Sequence, residues 1–91
     1  MTGKVWLPGD IVRSGRGRDK GRLLFILDLL DDGRLLLADG RIRRAESPKK
    51  KQTKHVQWVS RPEGRTPEKL RGGEKITNGE LRRALSAAEE S

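Results

Sequence analysis

The chain has 91 residues, no cysteine, and 21 lysines and arginines against 13 aspartates and glutamates, a net charge of +8. That length holds one small domain with appendages, and the missing thiols exclude a disulfide framework and a thiolate zinc site. No apolar run approaches the ~18 residues of a membrane span and the N-terminus has no signal-like apolar core, so the chain is read as a soluble, cytoplasmic monomer. The positive excess is local. Residues 47–71 hold eight basic and two acidic side chains, whereas residues 72–91 hold three basic and four acidic ones. A concentrated excess points to a surface for a polyanion rather than to general solubility.

In chain order, short apolar runs alternate with turn signals through the first sixty residues. "DIVRS" follows Pro8-Gly9, "RLLFILDLL" ends at Asp31-Asp32-Gly33, and "RLLLA" runs into Asp39-Gly40. "RIRRA" and, after the lysine run, "KHVQWVS" complete five predicted strands. Asp-Gly between apolar segments is a hairpin signal, and five short strands at this spacing predict a mainly β protein with a small antiparallel barrel over residues 1–60. In the second run Leu23, Phe25, Leu27 and Leu29 share one face, and Leu24, Ile26 and Leu30 share the other, interrupted by Asp28. A strand apolar on both faces needs cover on both. The barrel interior supplies one, and the C-terminus is expected to supply a lid for the other.

Residues 61–75, "RPEGRTPEKLRGGEK", read as a flexible linker from their prolines, glycines and mixed charge. Residues 76–90 read as a short amphipathic helix. Thr77 and Glu80 have the spacing of a capping box, and Ile76 and Leu81 that of a hydrophobic staple. Leu81, Ala84, Leu85 and Ala88 form a narrow apolar stripe, expected to dock on the barrel or on a partner. Glu89 and Glu90 oppose the helix dipole, which predicts fraying at that end.

The turn "VRSGRGRDKGRLLF" concentrates five positive charges and three glycines between two strands. Glycines let backbone approach backbone or phosphate closely. Arg16, Arg18 and Lys20 on a tight turn lose little freedom when they grip phosphates. The spacing G-x-G-x-x-x-G, with no following Lys-Ser/Thr or helix, does not fit a nucleotide-binding loop. A second basic stretch, "RIRRAESPKKKQTKH", adds Arg41, Arg43, Arg44, Lys49, Lys50, Lys51, Lys54 and His55. Pro48 is expected to keep its lysines out of regular strand pairing.

Together, "VRSGRGRDKG", "LLADGRIRR" and "PKKKQTKH" resemble, in that order, the KOW-domain RNA-binding proteins of bacteria. Gly21, after Arg18-Asp19-Lys20 and before an apolar strand, takes the place of the KOW glycine. The chain is also similar to the KOW-bearing "fourteen-e" family of archaeal and eukaryotic large-subunit ribosomal proteins. The likeness covers about residues 5–59. It implies an SH3-like barrel, no enzymatic activity, and binding to structured RNA, in first place ribosomal RNA of the large subunit, with ribosomal proteins as further partners.

The expected RNA-binding residues are Arg13, Arg16, Arg18, Lys20, Arg22, Arg43, Arg44, Lys49, Lys50, Lys51, Lys54 and His55. Three aromatic residues, Trp6, Phe25 and Trp58, are too few for extended base stacking. Phe25 reads as core, and the tryptophans as packing at the barrel ends in preference to stacking on bases. Recognition of RNA shape and backbone follows. No catalytic set, cofactor or metal is expected: His55 is the only histidine and has no cysteine partner, and Asp28, Asp31 and Asp32 are those of a hairpin turn. The alternative function is a protein-interaction adaptor, with the barrel or the helix binding an acidic or apolar partner.

Overall fold

The computed structural model describes residues 5–17 and 20–90. Strands β1 (Ile11–Ser14), β2 (Leu23–Leu29), β3 (Leu35–Ala38), β4 (Lys49–Lys51) and β5 (Val56–Ser60) form one antiparallel sheet in the order β4-β3-β2-β1-β5. A 3₁₀ turn, Thr53–His55, joins β4 to β5, and helices α1 (Arg65–Arg71) and α2 (Asn78–Glu90) follow. Three of the five strands lie where the apolar runs predict the first three, and the last lies within "KHVQWVS".

The fourth strand corrects the sequence reading. "RIRRA" lies in turns and bends, and the strand is the lysine run itself, with Leu35 opposite Lys51, Leu36 opposite Lys50 and Leu37 opposite Lys49. Pro48 stands just before the run, where its missing donor breaks no ladder bond. Lysines suit this outer position because their charge discourages pairing with a further strand.

The central strand β2 is buried on both faces, as its two-sided pattern requires. On one face Ile11, Phe25 and Ala38 join Leu70 of α1 and Leu81 and Leu85 of α2 in a single cluster. On the other, Val12, Leu24, Ile26, Leu35 and Leu37 form a second cluster, against which Trp6 and Val56 pack. A side chain of this size contributes ~1.5–3 kcal/mol when fully buried, so the helical cover is a substantial part of stability. The β2–β3 register slips between Ile26 and Asp28, a bulge that brings Asp28 out to solvent.

The segment after β5 holds more structure than its composition predicts. Within the stretch expected as a linker, α1 buries Pro67 and Leu70. Pro67 falls in the first helical turn, where amides have no partner to lose, and the first helical bond runs from the Glu68 amide to the Gly64 carbonyl. Helix α2 begins as a capping box: the Glu80 amide donates to Thr77 Oγ1 at 3.1 Å, and the Thr77 amide donates to Glu80 Oε1 at 3.0 Å. Lys69 of α1 closes on Glu80 at 2.7 Å. That bond, together with the Thr77 amide, holds the Glu80 carboxyl down to about 2.

Both helices lie against a glycine. A Cβ on Gly9 would stand 2.6 Å from the Pro67 carbonyl oxygen, and one on Gly40 would collide with the Asn78 carbonyl and crowd Leu81 Cβ at 3.1 Å. Asp10 anchors the same region. Its buried carboxylate accepts the Leu7 amide at 3.0 Å, Trp58 Nε1 at 3.0 Å, and Arg61 Nε and Nη2 at 2.8 and 3.0 Å. Burial pushes this carboxyl up, but the bonds from Arg61, Trp58 and Leu7 outweigh burial and hold it below its ordinary value. Trp58 is thereby fixed as a structural residue, with the Arg61 guanidinium 5.8 Å from its ring centre.

Candidate nucleic-acid interface

The two basic stretches, remote in sequence, meet at the end of β1. The Gly15 amide donates to the His55 carbonyl at 2.9 Å. The ammonium of Lys51 donates to Ser14 Oγ at 2.6 Å and to the Arg16 carbonyl at 2.7 Å. Ser14 Oγ itself donates to the Arg16 carbonyl at 3.0 Å, which fixes the start of the turn. At the other end of the turn, the Gly21 amide returns to the Ser14 carbonyl at 2.7 Å, and Arg13 Nη1 donates to the Gly21 carbonyl at 3.0 Å. The turn is therefore braced from β1, from β4 and from the 3₁₀ segment.

This convergence has an electrostatic signature. His55 is held below its ordinary pKa first by burial and then by the positive charges of Arg16, Lys54 and Lys51. Four titratable or cationic groups thus share one patch, and Arg16, Lys20 and Lys54 are exposed on it or beside it. Lys51 differs from the others, because its ammonium is already engaged with Ser14 and Arg16 and serves to position the turn.

The remaining expected residues divide. Lys49 and Lys50 are exposed on the outer strand β4. Arg22 is half exposed and faces Asp39 at 3.6 Å. Arg44 is exposed and pairs with Glu46 at 3.1 Å, and Glu46 also accepts Asn78 Nδ2 of α2. The Arg43 amide donates to Asp39 Oδ1 at 3.0 Å, and its side chain is half-buried. Arg18 lies outside the described residues.

The aspartates of the β2–β3 turn do local work. Asp32 accepts the Arg34 amide at 3.0 Å and Arg34 Nε at 2.8 Å, and Asp28 Oδ1 accepts the Leu29 amide at 2.8 Å. Among the described residues no group of three or more His, Cys, Asp or Glu is arranged to hold a metal ion, and no helix is long and apolar enough to cross a membrane. A separate groove of ≈ 620 Å³ runs between α1 and α2, floored by Ile11 and Phe25 and flanked by Arg65 and Arg83.

Sequence reasoning passes over Arg82 of α2, whose Nη1 donates to the Gly40 carbonyl at 2.8 Å. It also passes over Arg61 and Arg71, which face Asp10 from the segment taken for a linker. Their partners are distant in sequence, and only the local richness in arginine hints at them. No protein-family model matches the chain, and no curated protein matches it.

Proposed function

We propose that this protein binds structured RNA without chemical conversion, through the phosphate backbone, as a cytoplasmic ribosome-associated factor with an SH3-like barrel of the KOW type. The observation that carries the proposal is the meeting of Arg16 with Lys51, Lys54 and His55 on one braced surface. Cations held on a rigid base bind a polyanion with little ordering cost. Shape and backbone are the features of RNA that such a surface reads, since Phe25 is buried and Trp58 is occupied with Asp10. The strand order, with the Gly15 and Lys51 bonds drawing the β1 end toward the chain between β4 and β5, supports the barrel reading.

The test is charge reversal of Arg16, Lys20 and Lys54 together, with ribosome co-sedimentation and titration of a labelled RNA hairpin as readouts. Loss of both, with an unchanged circular dichroism spectrum, is the expected result. Binding equal to that of the parent protein overturns the proposal. If the parent binds partners that survive ribonuclease treatment and binds no RNA, the adaptor reading replaces it.

A further inference from the structure

A cleft of ≈ 100 Å³ opens where the basic turn ends, between β2, the segment after β3, and α2. Arg22, Arg41 and Arg82 line it together with Asp39, Ser86 and Glu89. Arg22 follows Gly21 directly in sequence, so the cleft continues the surface of the turn. We infer that this cleft holds one phosphate of the RNA backbone, which makes α2 part of the RNA-binding face. The inference rests on the RNA-binding reading given above.

The donor chemistry suits a phosphate. A guanidinium carries five N–H donors in a planar fork that matches phosphate oxygens. Arg82 uses Nη1 on the Gly40 carbonyl, which fixes the group, and among the described residues its other donors are left for a ligand. Arg22 stands 3.6 Å from Asp39 Oδ2, beyond a short hydrogen bond, and is half exposed. Arg41 is exposed.

The two carboxylates in the cleft differ in kind. Asp39 is nearly buried, and its Oδ1 already accepts the amides of Arg41 and Arg43 at 2.9 and 3.0 Å. Its Oδ2 faces Arg22 at 3.6 Å, so its charge is balanced within the cleft by that guanidinium. Glu89 is exposed near the end of α2 and stands against an incoming anion. Glu89 consequently sets the strength of the subsite, and removing its charge strengthens it.

The experiment is fluorescence titration of a labelled RNA hairpin over a range of salt, with the full chain as Arg41→Ala, Arg82→Ala and Glu89→Gln variants. Losing one phosphate contact weakens affinity by about five-fold and lowers the slope of log K against log salt by ~0.7–0.9. Arg41→Ala and Arg82→Ala are each expected to do this, and Glu89→Gln is expected to tighten binding. Should Arg82→Ala loosen α2, as circular dichroism would reveal, Arg41→Ala decides, because its side chain is exposed. Parent-like affinity and slope in Arg41→Ala and Glu89→Gln overturn the inference. The turn variant separates the two proposals: if it loses RNA while the cleft variants bind normally, RNA binding stands and the cleft subsite falls. If the parent protein gives no saturable RNA signal, both fall.

Discussion

Lys51 and Arg16, thirty-five positions apart in sequence, are joined by a 2.7 Å hydrogen bond from the ammonium of one to the carbonyl of the other. The bond ties the outer strand β4 to the basic turn, so the strand that carries exposed lysines also fixes the shape of the surface beside them. Lys50, its neighbour on β4, is exposed. The two lysines thus separate charge from positioning. Lys51→Met removes a charge-assisted bond to each of two oxygens and is expected to cost about 1–2 kcal/mol in chemical denaturation. Lys50→Met is expected to stay within ~0.5 kcal/mol of the parent. RNA affinity should fall in both, and further in Lys51→Met, since that variant also removes one of the two bonds that hold the Arg16 carbonyl. Equal stability and equal affinity in the two would show that the strap does not hold the turn.

The glycine beneath α2 gives a second prediction, on the link between fold and site. Gly40 has φ +80°, and a Cβ there meets the Asn78 carbonyl and Leu81 Cβ. Gly33, at φ +89°, has nothing within 4 Å of that position among the described residues. Alanine at Gly33 therefore suffers only the backbone penalty of a positive φ, roughly 1 kcal/mol. Alanine at Gly40 adds steric conflict with helix backbone, for a total of about 2–4 kcal/mol. Thermal unfolding of the two variants measures the difference. Hydrogen exchange in α2 should rise in Gly40→Ala and stay as in the parent in Gly33→Ala.

Gly40 also marks the limit of reading this fold from sequence. Asp39-Gly40 carries the signature of a hairpin turn, yet here it also makes room for a helix that arrives nearly forty residues later. What was legible was local or periodic: the two-sided apolar pattern of Leu23–Leu30, which demands a lid, and the Thr77/Glu80 capping box that begins that lid. What was not legible depends on distant partners. Lys49–Lys51 has no strand propensity and becomes a strand because Leu35–Leu37 offers it a ladder. Arg65–Arg71 has the composition of a linker and becomes a helix because Pro67 and Leu70 are buried and Arg71 faces Asp10 at 3.7 Å. The basic residues were legible as a list. Their division into a braced patch around Arg16 and an exposed Arg44 paired with Glu46 required the fold.

His55 gives the prediction that links titration to binding. Burial and the charges of Arg16, Lys54 and Lys51 keep it below its ordinary value near 6.5, so at neutral pH the free protein carries it uncharged. The described groups that act on it from the turn, β4 and the 3₁₀ segment are all cationic, so a bound polyanion offsets them and raises its pKa. On the proposed function, RNA binding is expected to be coupled to proton uptake, with affinity increasing as pH falls from about 7 toward 6. Stability of the free protein moves in the opposite sense. A histidine with a folded-state value below its unfolded one binds more protons when unfolded, so its contribution declines as pH drops through about 6.5. Anisotropy titrations of an RNA hairpin across this range should show the rise in affinity in the parent protein, and His55→Gln should flatten it while leaving binding at pH about 8 close to that of the parent. A pH profile identical in parent and variant would mean that bound RNA does not reach the patch shared by His55 and Arg16.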